Sequence, residues 1–374
     1  DSEKLDAIFD KMLDTRVEIA GNAGYDDYQD YKFRDYHRFD YTPQQCANFR
    51  DAVEELVVPL ADRIHERRRE QMGLDRLRPW DLSVDPLGRD PLKPFEQVRE
   101  LIDGVKEVFT RTDPALGEQF ARMDKLGLLD LASRKGKAPG GYQSTLAEAR
   151  KPFIFMNAVG VDGDLRTLLH EGGHAFHAFA TQDEPLLPYR HAPMEFCEVA
   201  SMSMELLAGD HLDVFYGEDE LARSRRKHLE GIITLLPWIA TIDGFQHWIY
   251  QNPEASAEDR REAWLRVRDR FAGSVVDWEG LEDEHRNLWH RQLHIFEVPF
   301  YYIEYGIAQL GALQVWVRSR EVGAQALRDY RSALSLGGSR PLPELFEAAG
   351  IRFDFSSETI QPLVQAVSEE LEKL

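Results

Sequence analysis

The chain has 374 residues and carries 66 Asp and Glu against 45 Lys and Arg, a formal net charge of −21, which disfavours nucleic acid and acidic membrane surfaces as partners. Its two cysteines, Cys46 and Cys197, cannot build a disulfide framework, so a reducing cytoplasm is the natural compartment. With no long apolar run and no signal-peptide pattern, no membrane partner is expected.

Residues 3–20 repeat Leu5, Ile8, Phe9, Met12, Leu13 and Val17 at helical spacing, which predicts a helix docked on a core. The chain enters this pattern at Asp1 without a methionine, and the expectation is that a segment before it is missing. Between Tyr25 and Tyr41 seven aromatics mix with Asp and Arg. They read as packing of a semi-regular segment, or alternatively as one wall of a peptide-binding cleft. Thr42-Pro43 is a helix start, and that helix runs to Gln71 with a disturbance at Pro59. From Leu77 to Phe95 four prolines and Gly88 forbid continuous helix. This marks a boundary between possible sub-lobes 1–90 and 91–374 of one region, 1–374.

Helices are predicted over 95–111 and 114–126. The apolar runs Leu128–Ala132 and Phe153–Ala158 suit short strands, with R-K-G-K-A-P-G-G-Y between them. That loop lacks the G-x-x-x-x-G-K-[ST] arrangement of a phosphate cradle. A small sheet with an edge toward the next helix could hold an extended peptide by backbone hydrogen bonds.

The stretch Asp164–Ala180 reads D-L-R-T-L-L-H-E-G-G-H-A-F-H-A-F-A. At about 100° per residue, with His170 at zero, His174 falls near 40° and His177 near 340°. Leu165, Leu168, Leu169, Phe176 and Phe179 occupy the opposite face, and Glu171, near 100°, flanks the histidines. This is the H-E-x-x-H pattern, in which two imidazoles one turn apart share a zinc ion and the glutamate serves as base. Asp162 and Asp164 sit where a helix cap and a first-turn anion are favoured. A catalytic zinc takes three protein ligands. The next helix, 194–207, offers Glu195, Glu198 and Glu205, among which spacing does not choose. His177 would crowd a site already holding two imidazoles from its own helix.

Further on, 218–251 is expected to form two helices broken near Pro237, with helices at 256–272, 281–293 and 300–320 and three short ones within 324–374. The fold class is therefore mainly α, with a small β-sheet beside the H-E-x-x-H helix.

H-E-G-G-H-A-F-H followed by M-E-F-C-E-V-A-S-M-S-M-E resembles the active-site helices of the thimet oligopeptidase and oligoendopeptidase F family of zinc peptidases. N-A-G-Y-D-D-Y, R-F-D-Y-T-P, R-K-G-K-A-P-G-G-Y, P-F-I-F-M-N and F-Y-Y-I-E-Y-G resemble the oligoendopeptidase F branch, so the likeness covers nearly all of the chain. It implies one zinc ion held by His170, His174 and Glu198, with Glu171 as the catalytic glutamate and Glu205 orienting a ligand imidazole. It also nominates His294, Tyr301 and Tyr305 as groups over the substrate, where a register error of one would exchange Tyr301 for Tyr302. Members resemble a long helical N-terminal lobe joined to a catalytic lobe, and much of that front lobe is absent here.

The function this implies is zinc-dependent hydrolysis of short peptides. Two alternatives are a zinc carboxypeptidase and a non-catalytic helical binding protein with a vestigial zinc. Against the second stands Glu171, which a structural zinc does not need, and the absence of an obvious fourth ligand.

Overall fold

The computed structural model describes residues 1–374. In chain order the helices are α1 (Ser2–Asn22), α2 (Tyr28–Asp35), α3 (Pro43–Ala52), α4 (Val58–Gln71), α5 (Val98–Thr112), α6 (Pro114–Lys125), α7 (Asp162–Ala180), α8 (Met194–Ala208), α9 (Glu218–Gln251), α10 (Ala257–Phe271), α11 (Glu282–Arg286), α12 (Leu293–Glu297), α13 (Ile303–Val322), α14 (Ala324–Leu334), α15 (Leu342–Ala348) and α16 (Ser357–Lys373). Three strands, β1 (Leu129–Ala132), β2 (Tyr142–Leu146) and β3 (Lys151–Ala158), lie between α6 and α7. The fold is mainly helical, as the periodicities predict.

The chain divides into two units: one made of 1–89, 230–306 and 355–368, the other of 90–229, 307–354 and 369–374. In the first unit, Phe9 of α1 packs edge-on against Trp289 and Phe296 at 5.1 and 5.3 Å. Buried Arg38 and Glu304 form an ion pair at 2.5 Å. Between α3 and α4, Val53–Val57 winds as a π-helix. Pro59 follows within two residues and has no N–H for the carbonyl of Glu55, so the wider turn falls where a disturbance is expected.

The expected break at Pro237 does not occur: α9 runs unbroken through it. The proline removes one hydrogen bond, a cost of about 3 kcal/mol. On either side Ile233, Leu236, Ile239, Ala240 and Ile242 are buried, and each large aliphatic side chain returns roughly 1.5–3 kcal/mol. Apolar burial wins over the local breaker. The helix expected over 281–293 is instead α11, a 3₁₀ turn at Leu288–Arg291 and α12.

In the second unit the sheet has order β1-β3-β2, parallel between β1 and β3 and antiparallel between β3 and β2. β2 thus forms an edge, and it lies in a stretch to which sequence reading assigned no strand. The loop before it is pinned by Lys137, whose buried Nζ donates to the carbonyls of Asp130 and Ala132 at 2.9 Å. Asn157 Nδ2 holds the carbonyls of Ala138 and Gly140 at 2.8 and 3.0 Å. The basic residues of R-K-G-K therefore include one spent on anchoring a strand.

The apolar face of α7 buries Leu165, Leu168, Leu169 and Phe176. Its other neighbours need glycine. A Cβ on Gly172 would lie 2.5 Å from the Phe109 ring, and one on Gly173 would lie 2.6 Å from Ala200 O and Ser201 Cα of α8. The second obstacle is backbone and cannot rotate away. Gly173→Ala is accordingly expected to destabilise the fold by about 1–3 kcal/mol, whereas Gly163→Ala, with nothing within 4 Å of its Cβ, is expected to be neutral or slightly stabilising. Denaturant unfolding of the two variants checks this, and equal stabilities would contradict it.

Candidate metal centre

The start of α7 is set by Asp164, whose carboxylate accepts the backbone N–H groups of Val159, Gly160 and Val161 at 2.7, 2.8 and 3.0 Å. Gly160 holds φ +97°, and a Cβ there would meet Phe95 O at 3.0 Å. This turn delivers β3 into α7 and fixes which way the histidine face looks.

His170 and His174 stand one turn apart with ring centres 4.9 Å apart, at 84° to each other. From α8, Glu198 Oε2 lies 3.3 Å from His170 Nε2 and 3.8 Å from His174 Nε2. One ligand atom from each of the three falls within 4.8 Å of the others. Atoms bound about 2.0–2.1 Å from a tetrahedral ion stand roughly 3.4 Å apart. Two imidazole nitrogens and a carboxylate oxygen at this spacing fit a zinc ion.

The electrostatics agree with that donor set. Burial lowers the His170 pKa, but the hydrogen bonds the ring donates to Glu198 and Glu205 outweigh it and lift the ring to about 10. His174 makes no such bond and burial carries it down to about 4. Burial pushes Glu198 up, and His170 and His174 more than reverse this, so it remains a carboxylate. Ser201 Oγ donates to Glu198 Oε2 at 3.0 Å and restrains it. The space among the three side chains is one that attracts positive charge.

Glu171 is buried beside the group, and burial raises its pKa above the ordinary carboxylate range. The backbone N–H of Gln143, in β2, opposes that rise, and β2 packs against α7 along this flank of the histidine helix. Glu205 accepts from His170 Nδ1 at 2.7 Å, the place expected of a residue that orients an imidazole. Glu195 is buried on α8 outside the group. His177 is also outside it, buried and edge-on to Phe196 at 6.2 Å.

His294, Tyr301 and Tyr305 belong to the first unit and form a cluster there. The His294 ring lies 6.2, 4.8 and 5.9 Å from those of Tyr301, Tyr302 and Tyr305. Tyr302 is buried while Tyr301 and Tyr305 are half-buried, so the exposed pair is the one with helical i, i+4 spacing. Phe300, just before them, holds φ +63°, an uncommon conformation for a bulky residue. Packing against Tyr250 at 5.1 Å and His247 at 5.2 Å retains it.

A second group in the first unit, Cys46, Asp243 and His247, also brings ligand-type atoms within 4.8 Å. There, however, Arg50 already pairs with Asp243, and burial raises the Cys46 thiol far above its ordinary pKa. The charge of the carboxylate is neutralised from within the protein, so this group fits a metal poorly.

Sequence reasoning missed Gln143, Ser201 and the groups behind Glu205. Ser201 had a signal, since it lies three residues after Glu198 on the same helix. Gln143 had none without its strand.

A sequence model of Peptidase family M3 matches residues 1–364. Oligopeptidase PepF of Bacillus subtilis (strain 168) is 27% identical over 330 residues, covering 85% of this chain and 47% of its own length. An oligoendopeptidase F homolog of Borreliella burgdorferi is 22% identical over 303 residues, or 77% of this chain and 49% of its own. The solved structure titled PZ peptidase A with inhibitor 2 superposes with a TM-score of 0.92 at 33% identity, over 100% of this chain and 66% of that one. The chain spans about half the length of the curated relatives it matches.

If the three-residue group is the one that takes a metal, Glu198→Ala lowers zinc affinity by several orders of magnitude while Glu195→Ala changes it little. Competition titration against a chromophoric chelator reads this directly, and the reverse order would move the third ligand to Glu195.

Proposed function

This chain belongs to peptidase family M3, and on that premise we propose that it hydrolyses peptide bonds in short peptides, using one zinc ion held by His170, His174 and Glu198. The observation that carries the reading is the approach of those three ligand atoms within 4.8 Å of one another, with the buried carboxylate of Glu171 alongside. A zinc ion bound there supplies Lewis acidity, polarising a carbonyl and lowering the pKa of water from 15.7 to about 7.

The residues of the chain do the rest. Glu171 takes the proton of the attacking water on its carboxylate and hands it to the leaving amine. Burial raises its pKa, which makes it a better base than an exposed glutamate. Glu205 holds the His170 ring at Nδ1, which leaves Nε2, facing Glu198 Oε2, for the ion. The unpaired side of β2 offers backbone N–H and C=O groups to an extended peptide, and Gln143 places that edge next to Glu171.

The roles proposed for Tyr301, Tyr305 and His294, donation to the developing oxyanion, rest on the resemblance of H-I-F-E-V-P-F-Y-Y-I-E-Y-G and on the cluster they form. The proposed compartment is the cytoplasm, consistent with two free cysteines. No helix is long and apolar enough to cross a membrane.

Glu171→Gln is expected to keep its zinc and lose turnover by at least about 10²–10⁴-fold, measured on free and C-terminally amidated peptides by mass spectrometry. A variant that cleaves normally removes Glu171 as the base, and a parent that cleaves only free C-termini is a carboxypeptidase. Tyr305→Phe is expected to lower kcat, by up to about 10²–10³-fold for a lost oxyanion donor, with zinc content unchanged. Unaltered kinetics would take Tyr305 out of the reaction.

A further inference from the structure

Behind His170 the polar groups continue in a single file within the second unit. Glu205 places Oε1 on His170 Nδ1 at 2.7 Å and Oε2 on His228 Nε2, from α9, at 3.1 Å. His228 Nδ1 lies 3.2 Å from Arg166 Nη1. Arg166 Nη2 donates to Ser224 Oγ at 2.9 Å, and that hydroxyl donates to Asp162 Oδ1 at 2.7 Å. Tyr216 donates to the same oxygen at 2.9 Å.

The chemistry of these groups fixes where each proton sits. A guanidinium only donates, so His228 Nδ1 accepts and its one proton is on Nε2. An ionised carboxylate only accepts, so Glu205 receives N–H bonds from both imidazoles. With a metal bound, His170 would keep its one proton on Nδ1 toward Glu205, leaving Nε2, the nitrogen that faces Glu198, for the ion. The protonation of His228 is consistent: burial, then Arg166, hold its pKa below the ordinary value, so it is a neutral ring.

We infer that His228 is a positioning residue for the metal: by occupying the second oxygen of Glu205, it locks the tautomer and orientation of His170, with Arg166 and Asp162 anchoring it from the far side. A carboxylate bonded through one oxygen can swing about that bond. One bonded through both cannot, and the ring it holds is fixed with it. Removing the imidazole would leave Oε2 of the half-buried Glu205 without its donor and Arg166 Nη1 without its acceptor. The inference rests on the reading of His170, His174 and Glu198 as zinc ligands.

The test compares His228→Phe, His228→Ala and His228→Gln in the full chain, by chelator competition for zinc and by thermal unfolding of the chelated proteins. Phenylalanine keeps a ring of similar size without nitrogens, alanine adds no bulk, and glutamine can donate to Glu205 while accepting from Arg166. Phe and Ala are expected to weaken zinc binding by about 10–100-fold, and Gln to stay within roughly threefold of the parent because both bonds survive. These differences should persist among variants whose chelated forms unfold at similar temperatures. Parent-like zinc affinity in the Phe or Ala variant, or a loss in Gln equal to that in Phe, would overturn the role of His228. A parent that fails to take up one equivalent of zinc would instead sink the ligand assignment, leaving the two failures distinct.

Discussion

At Gly173 the backbones of α7 and α8 come so close that a single methyl group would meet main-chain atoms at 2.6 Å, and the candidate site exists because of that approach. A glutamate reaches only a few ångströms from its helix. For Glu198 to stand 3.3 Å from His170 Nε2, the two helices must nearly touch over the same turn that carries the histidines. The apolar face of α7, made of Leu165, Leu168, Leu169 and Phe176, then has a fixed direction, into the core. The histidine face has no choice but the opposite side.

Concentrating ionisable groups in a protein interior is costly unless each is paired and hydrogen-bonded. The second unit meets that cost by linking them: Glu198 to His170 and Ser201, Glu205 to His170 and His228, Arg166 to His228 and Ser224, Asp162 to Ser224 and Tyr216. One place in this network is bounded by two imidazoles and a carboxylate and draws positive charge. The first unit solves the same problem differently. Around Cys46, Asp243 and His247 the neutralising cation is Arg50, which leaves no demand for an external one. Similar residue types thus give a candidate metal centre in one case and a buried ion pair in the other.

Much of the site was legible because helical periodicity is local. The angles of His170, His174 and Glu171 follow from spacing alone, and α7 carries them as arithmetic requires. The choice among Glu195, Glu198 and Glu205 was not legible from spacing, since it depends on how α8 lies on α7, and only the family resemblance pointed to Glu198. β2 escaped notice because Y-Q-S-T-L has one large apolar residue at each end and owes its place to pairing with β3 and to the anchoring of its loop by Lys137. Pro237 misled for the converse reason: a local breaker yielded to burial along both halves of α9. His228 carried no signal at all, because its partner Glu205 comes from a different helix and their meeting is a property of packing.

Zinc-edge X-ray absorption of the zinc-loaded chain tests the central assignment most directly. The account predicts a shell of nitrogen and oxygen neighbours at about 2.0–2.1 Å with the multiple-scattering pattern of two imidazoles and no sulfur. A sulfur neighbour at about 2.3 Å would bring in one of the two free cysteines, Cys46 or Cys197, and contradict the assignment to His170, His174 and Glu198 alone.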